Sequence, residues 1–305
     1  MFIKILNLLT LKQLLTCLFT ISYFAVATTS YAAQENNNIT TNASAPIIKD
    51  AFEWQFMLDF SAVSTQVIIA DVEQTEPWDY LQLGLLLDIS YKGFFLQTNS
   101  RRSAAAIGSG ELGYQITVQK NWELDVILKA YIEGFDPAEI IKDQKEDIPQ
   151  LAGLNEREYT GGIALRYSHF FDNAIFYIDV ASAHTGSNDQ RDSASGLIID
   201  SFYSYLIPYR NWDIYLGAGL TYYDKALVDY YIGINPDEVT INRPLYNAKS
   251  SFRGQLEVYA QHPLSQSWFF NAGLTQTFYF NSIKQSPLVD RNKSTQLMVG
   301  VLYVF

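Results

Sequence analysis

The sequence predicts an all-β protein: a transmembrane, antiparallel, up-and-down β-barrel of about 12 strands. Three observations carry that reading. The chain ends in a strand-like stretch, and counting back from Phe305 in steps of two gives Tyr303, Val301, Val299 and Leu297, an unbroken apolar file. Apolar and polar residues alternate with period two from Phe52 onward. The connections between the alternating segments are long and short in strict turn, as expected of a barrel with short turns on one rim and long loops on the other.

The elements follow in chain order. Lys4 and Lys12 flank or interrupt an apolar run from Phe2 to Val26, and the small residues Ser30, Tyr31, Ala32 and Ala33 come before a polar stretch. This pattern is expected to be a secretory signal peptide over residues 1–32, cut after Ala32 or Ala33. The sole cysteine, Cys17, would leave with it, so the mature chain would hold no disulfide, thiolate metal site or cysteine nucleophile. Residues 33–50 are Asn-, Thr- and Ala-rich without periodicity, which fits a flexible periplasmic tail. The barrel is expected over residues 51–305.

Within it, Phe52, Trp54, Phe56, Leu58 and Phe60 share one face against Glu53, Gln55 and Asp59. Leu81 to Ile89, Trp122 to Ala130, Trp212 to Leu220, Phe252 to Ala260 and Phe270 to Leu274 repeat the pattern. The expected strands are 52–64, 80–91, 93–101, 110–119, 121–133, 157–170, 173–185, 195–208, 210–224, 249–262, 267–281 and 294–305. Hydrocarbon cannot satisfy backbone N–H and C=O groups, so such a sheet must close on itself. The opposite assignment, an apolar interior with charges outside, would describe a soluble ligand-binding barrel. Tyr303 and Phe305 are expected to form the signal read by the outer-membrane insertion machinery, the barrel assembly machinery.

Composition narrows the function. Without Lys4 and Lys12 the 21 basic residues fall to 19 against 32 acidic ones, a net charge of −13. Nucleic-acid binders need basic surfaces, so nucleic acid is excluded as a partner. Lipid and lipopolysaccharide of a Gram-negative outer membrane are the expected surroundings. The histidines are His169, His184 and His262. Ser168 beside His169, or Ser182 and Asp179 near His184, are the available hydrolase groupings. None resembles a nucleophile elbow, so no catalytic residue, cofactor or metal site is assigned. Glu123, Asp125, Lys129, Arg166, Arg253 and Glu257 fall on the polar files and are candidates for the lumen. They would either pair and plug it or line a narrow path for small solutes. The acidic stretch from Asp136 to Glu158 is expected as a solvated external loop, open to loose divalent-cation binding.

Several stretches together resemble the MltA-interacting protein (MipA)/OmpV family of outer-membrane proteins. They are Leu151-Ala152-Gly153-Leu154 with Arg157, Asp179 with His184-Thr185-Gly186, Tyr231-Ile232-Gly233-Ile234-Asn235-Pro236, Pro244-Leu245-Tyr246-Asn247-Ala248, and Ser286-Pro287-Leu288-Val289. The first strand lacks the glycine-rich pattern common in that family. The resemblance implies a non-enzymatic barrel that links the outer membrane to peptidoglycan-remodelling enzymes, a murein transglycosylase or synthase. A porin-like channel for small solutes is the first alternative, and a lipid-acting hydrolase the second.

Overall fold

The computed structural model describes residues 52–70, 72–74, 77–98, 110–144, 148–186 and 193–305. The expected signal peptide and tail lie outside the described residues. Twelve strands form: β1 Glu53–Thr65, β2 Leu81–Tyr91, β3 Phe94–Gln97, β4 Glu111–Val118, β5 Trp122–Ile132, β6 Thr160–Phe170, β7 Ala174–Thr185, β8 Ser195–Tyr209, β9 Trp212–Tyr223, β10 Ser251–Pro263, β11 Trp268–Tyr279 and β12 Lys293–Val304. Each pairs antiparallel with its chain neighbours, and β1 pairs with β12, from Met57 opposite Val304 to Thr65 opposite Gln296. The sheet is a closed barrel, so no edge is left to be satisfied by solvent.

Period two sets which way each side chain points. Outward files are apolar and exposed around the barrel, with Leu85, Leu128, Ile163, Leu220, Leu256 and Leu297 among them. In water such a surface would be an aggregation site; against acyl chains it is matched. Among the described residues no helix is long and apolar enough to cross a membrane, so the strands do the crossing. Polar and charged residues point inward, which disposes of the soluble-barrel alternative.

Short turns and long loops occupy opposite rims. The short connections include Lys92-Gly93 and Arg210-Asn211, where Lys92 and Arg210 adopt the left-handed backbone region (φ 49° and 56°) that tight hairpins require. Aromatic pairs gather near these turns: Trp122 with Tyr167, Trp212 with His262, and Trp268 with Tyr303. Amphipathic rings of this kind sit at headgroup level. Phe305 packs on Phe56 at 4.8 Å between ring centres, and its N–H donates to the Phe56 carbonyl at 3.1 Å.

The seam is also tied from inside. Asn271 Nδ2 donates to Asp59 Oδ2 at 2.8 Å, reaching over Gly300 of β12, and Asp59 also accepts from Ser61. A Cβ on Gly300 would stand 2.6 Å from the Phe60 carbonyl oxygen, so only glycine lets β12 pass beneath this clasp.

Two expectations need correction. β3 spans four residues and ends before Thr98, short of the expected 93–101, of which 99–101 lie outside the described residues; its pairing with β2 and β4 keeps the strand count even. The long connections are not simply solvated. Among the described residues they carry three α-helices, α1 Pro137–Gln144, α2 Lys225–Ile232 and α3 Asn281–Gln285, and two 3-10 helices, Pro77–Tyr80 and Pro236–Glu238. The acidic stretch from Asp136 to Glu158 buries Pro137, Ile148, Leu151, Leu154 and Arg157, because it folds against other loops. Among the described residues no three acidic or histidine side chains converge as a metal site.

Candidate functional site

The inward wall from β4 to β11 carries one polar row. Register places Gln115 opposite Asp125, then Arg166, Asp179, Asp200, Thr221, Arg253 and Tyr279 on successive strands. Arg166 is the centre. Its Nε and Nη2 donate to Asp179 at 2.7 and 2.9 Å, and its Nη1 and Nη2 donate to Glu111 at 2.6 and 3.0 Å. A planar guanidinium suits two bidentate carboxylates at once. The Tyr177 ring covers it at 4.6 Å.

Asp179 and Asp200 face each other directly, a repulsive arrangement on its own. Lys129 resolves it, with Nζ 2.7 Å from Asp179 and 3.5 Å from Asp200. Thr221 donates to Asp200 at 2.7 Å, and Arg253 donates to Thr221 at 3.2 Å. Glu111 also accepts from Gln97. Two members of the row keep a buried atom without a hydrogen-bond partner, the Asp125 Oδ1 and the Arg253 Nε.

The six lumen candidates therefore occupy inward files, but in two states. Asp125, Lys129, Arg166 and Glu257 are buried, while Glu123 and Arg253 are half-buried. A residue lining a water-filled path would be open to water. Arg166 is 5% exposed, Lys129 8% and Asp179 0%. These charges are spent on one another, as a packed network.

Towards the long loops the lumen changes character. Ala164, Ala181, Ala183, Ile127, Ile198 and Tyr223 point inward, and Leu227 and Val228 of α2, Ile283 of α3 and Ala248 pack onto them. Small inward residues make room for the helix. At Gly196 an added Cβ would lie 2.9 Å from Asp224 Cβ and 3.1 Å from Leu227 Cγ. The loops thus fill this end of the barrel with an apolar plug.

A cap lies beyond the plug. Ile148, Leu151, Leu154, Ile234 and Leu288 form a second buried cluster. Arg157 pairs with Glu238 at 2.9 Å. Arg243, fully buried, donates to the carbonyls of Glu238, Gln150 and Ala152 at 2.6 to 3.2 Å. Burial alone would raise the Glu238 carboxyl. The Arg157 guanidinium and the N–H groups of Asn235 and Asn155 outweigh burial and hold it below its ordinary value. Tyr231 donates to the Glu158 carbonyl at 2.6 Å, Tyr246 to the Ser282 carbonyl at 2.8 Å, and Ser286 to the Ile232 carbonyl at 2.7 Å.

The hydrolase groupings do not assemble. Asp179 faces inward and His184 outward, because an odd and an even position of one strand take opposite faces. Ser168 and His169 are divided in the same way. His184 meets Ser195 at 2.8 Å and Ser182 at 3.5 Å on the exposed outer wall. Tyr303 and Phe305 lie at the short-turn rim, their rings 4.7 Å apart.

Four of the segments that resemble the MipA/OmpV family fall in the cap and at the edge of the plug. A family model described as MltA-interacting protein MipA matches residues 71–305. The chain belongs to this family. MipA-family relatives agree at low identity. A 24 kDa outer membrane protein of Pasteurella multocida (strain Pm70) is 23% identical over 229 residues, covering 72% of this chain and 80% of the relative. The MltA-interacting protein of Escherichia coli (strain K12) is 22% identical over 157 residues, 51% of this chain and 61% of the relative. Among solved structures, a NanC porin aligns with a TM-score of 0.43 and 10% identity, covering 81% of this chain and 98% of that one. The MipA-family motifs from Leu151, Tyr231, Pro244 and Ser286 meet in space although the chain separates them widely. The plug helix α2 carried no motif except Tyr231-Ile232 at its end. Its apolar residues Leu227 and Val228 were the remaining signal, and they are too few to mark a helix.

Proposed function

We propose that this protein is a non-enzymatic scaffold of the outer membrane that engages a peptidoglycan-remodelling enzyme, a murein transglycosylase or synthase, from the periplasmic side. The burial of Arg166, Lys129 and Asp179 carries this reading. Paired charges across the lumen and the packing of α2 onto its wall weigh against a water-filled path, and so against the channel alternative. The name of the Escherichia coli relative supplies the partner class. The divided faces of Asp179 and His184 weigh against the lipid hydrolase.

In this reading residues 1–32 direct export, residues 33–50 are a periplasmic tail, and the short turns face the periplasm, the usual orientation of such barrels. Outer-membrane lipid and lipopolysaccharide surround the apolar wall. Tyr303 and Phe305 present the insertion signal to the barrel assembly machinery. The test is affinity capture of the full-length protein from cross-linked cell envelopes. The expected result is co-capture of a murein transglycosylase or synthase. A cross-linked set devoid of murein enzymes would refute the scaffold.

A further inference from the structure

The short-turn end of the lumen is different from the plugged end. There the inward residues Glu53, Asp88 and Asp213 are exposed, and Glu123 is half-buried. Asp88 and Glu53 lie diagonally across the β1–β2 ladder, with Gln55 opposite Asp88 and Ser90 opposite Glu53. The inward cations of the strands are Lys129, Arg166 and Arg253, and each is engaged deeper in the barrel. The result is a cup open at the turns, floored by the Arg166 network, and negative on its walls.

An acidic wall alone would indicate only solvation. Asp125 adds an independent observation. It is 2% exposed, sits on the inward face one position deeper than Glu123, and its Oδ1 has no hydrogen-bond partner. Its strand neighbour Arg166 is already committed to Glu111 and Asp179. The charges acting on Asp125 are Glu123, Arg166, Glu111 and Asp179, three of them like its own. A buried carboxylate in such surroundings is destabilising unless it takes up a proton or an N–H donor with positive charge completes it.

We infer that the cup receives a lysine- or arginine-bearing segment of a periplasmic protein, with its leading cation seated between Asp125 and Glu123. This rests on the scaffold reading above and names the chemistry of the partner's contact element. An ammonium or guanidinium supplies the missing donor, and the outer acids Asp88 and Asp213 steer the segment in.

The test uses the full-length protein in detergent and a fluorescein-labelled peptide of alternating lysine and alanine, titrated by anisotropy. The expected result is saturable binding that weakens as salt rises, with a glutamate–alanine peptide not binding. Asp125→Asn should weaken lysine-peptide binding at least tenfold, and Glu123→Gln should also weaken it. Asp125→Asn should at the same time raise the thermal unfolding midpoint, since it removes an uncompensated charge. A structural role alone would lower both, and that outcome overturns the inference. Unchanged peptide affinity in Asp125→Asn overturns it as well. Spermidine binding as tight as the peptide would assign the cup to small polyamines instead. Tighter peptide binding after deletion of residues 34–50 would assign it to the chain's own preceding segment. In envelope capture, equal recovery of murein enzyme by wild type and Asp125→Asn would defeat this inference and leave the scaffold standing. No recovery by either would defeat the scaffold, while the peptide titration still decides the cup.

Discussion

Arg166 and Asp179 stand directly opposite each other on β6 and β7, joined by two hydrogen bonds of 2.7 and 2.9 Å in a setting closed to water. Glu111 completes the guanidinium from the other side. Replacing Arg166 by Met leaves Glu111 without its cation and Asp179 with Lys129 alone. The expected loss is about 3–5 kcal/mol of unfolding free energy, read by urea titration of tryptophan fluorescence in detergent. A loss below about 1 kcal/mol, the range of an exposed pair, would show that the network is solvated.

The Arg157–Glu238 pair gives the cap a defined response to acid. The Glu238 carboxyl in the folded cap lies below its ordinary value of 4.5. Its stabilisation is therefore complete above that value and is lost as pH falls through it towards the folded-state value. Limited proteolysis of the 224–250 connection should be slow at pH 7 and accelerate below about pH 4.5. Glu238→Gln should cleave faster than wild type at pH 7 and lose most of the acid dependence. A Gln variant with the wild-type acid profile would place the titration elsewhere.

The strands were legible in the sequence and the pairing among interior residues was not, for a physical reason. An outward face against lipid must be apolar at every second position, and residues such as Leu81, Leu83 and Leu85 record that directly. The polar row from Asp125 to Arg253 depends on register between strands. The bulges at Gln115/Thr117 and Ala130/Ile132 shift that register, and they leave no mark in the alternation of a single strand. Asp179 shows the consequence. Its sequence neighbourhood groups it with His184, while its register partner is Arg166. The cap was hidden for another reason. Arg157, Glu238 and Arg243 read as loop charges, and loop charges are normally solvated; only the convergence of separate loops buries them.

Leu227 is fully enclosed between the plug and the wall. Leu227→Ala removes apolar burial worth about 2–5 kcal/mol, and Gly196→Val pushes against the same helix. Both should speed proteolysis within residues 225–232 while leaving far-ultraviolet circular dichroism of the barrel unchanged. A protease pattern identical to wild type would show that α2 is held from elsewhere.

Deleting Phe305 separates assembly from stability. The ring packs on Phe56 and Tyr303, so refolding in detergent should lose only about 2 kcal/mol. Insertion in cells should fall several-fold if the terminal aromatic is the insertion signal, read as the heat-modifiable folded fraction in outer-membrane preparations. Equal folded fractions with and without Phe305 would remove that role.

The central claim is that the barrel is closed by its own charges and loops. Single-channel recording of the purified, refolded wild-type protein in planar bilayers at pH 7 tests it most directly. The expected trace is a flat baseline at moderate voltage, with steps emerging when Leu227→Ala or Gly196→Val loosens the plug. Stable, stepwise conductance from the wild-type protein would contradict the closed lumen.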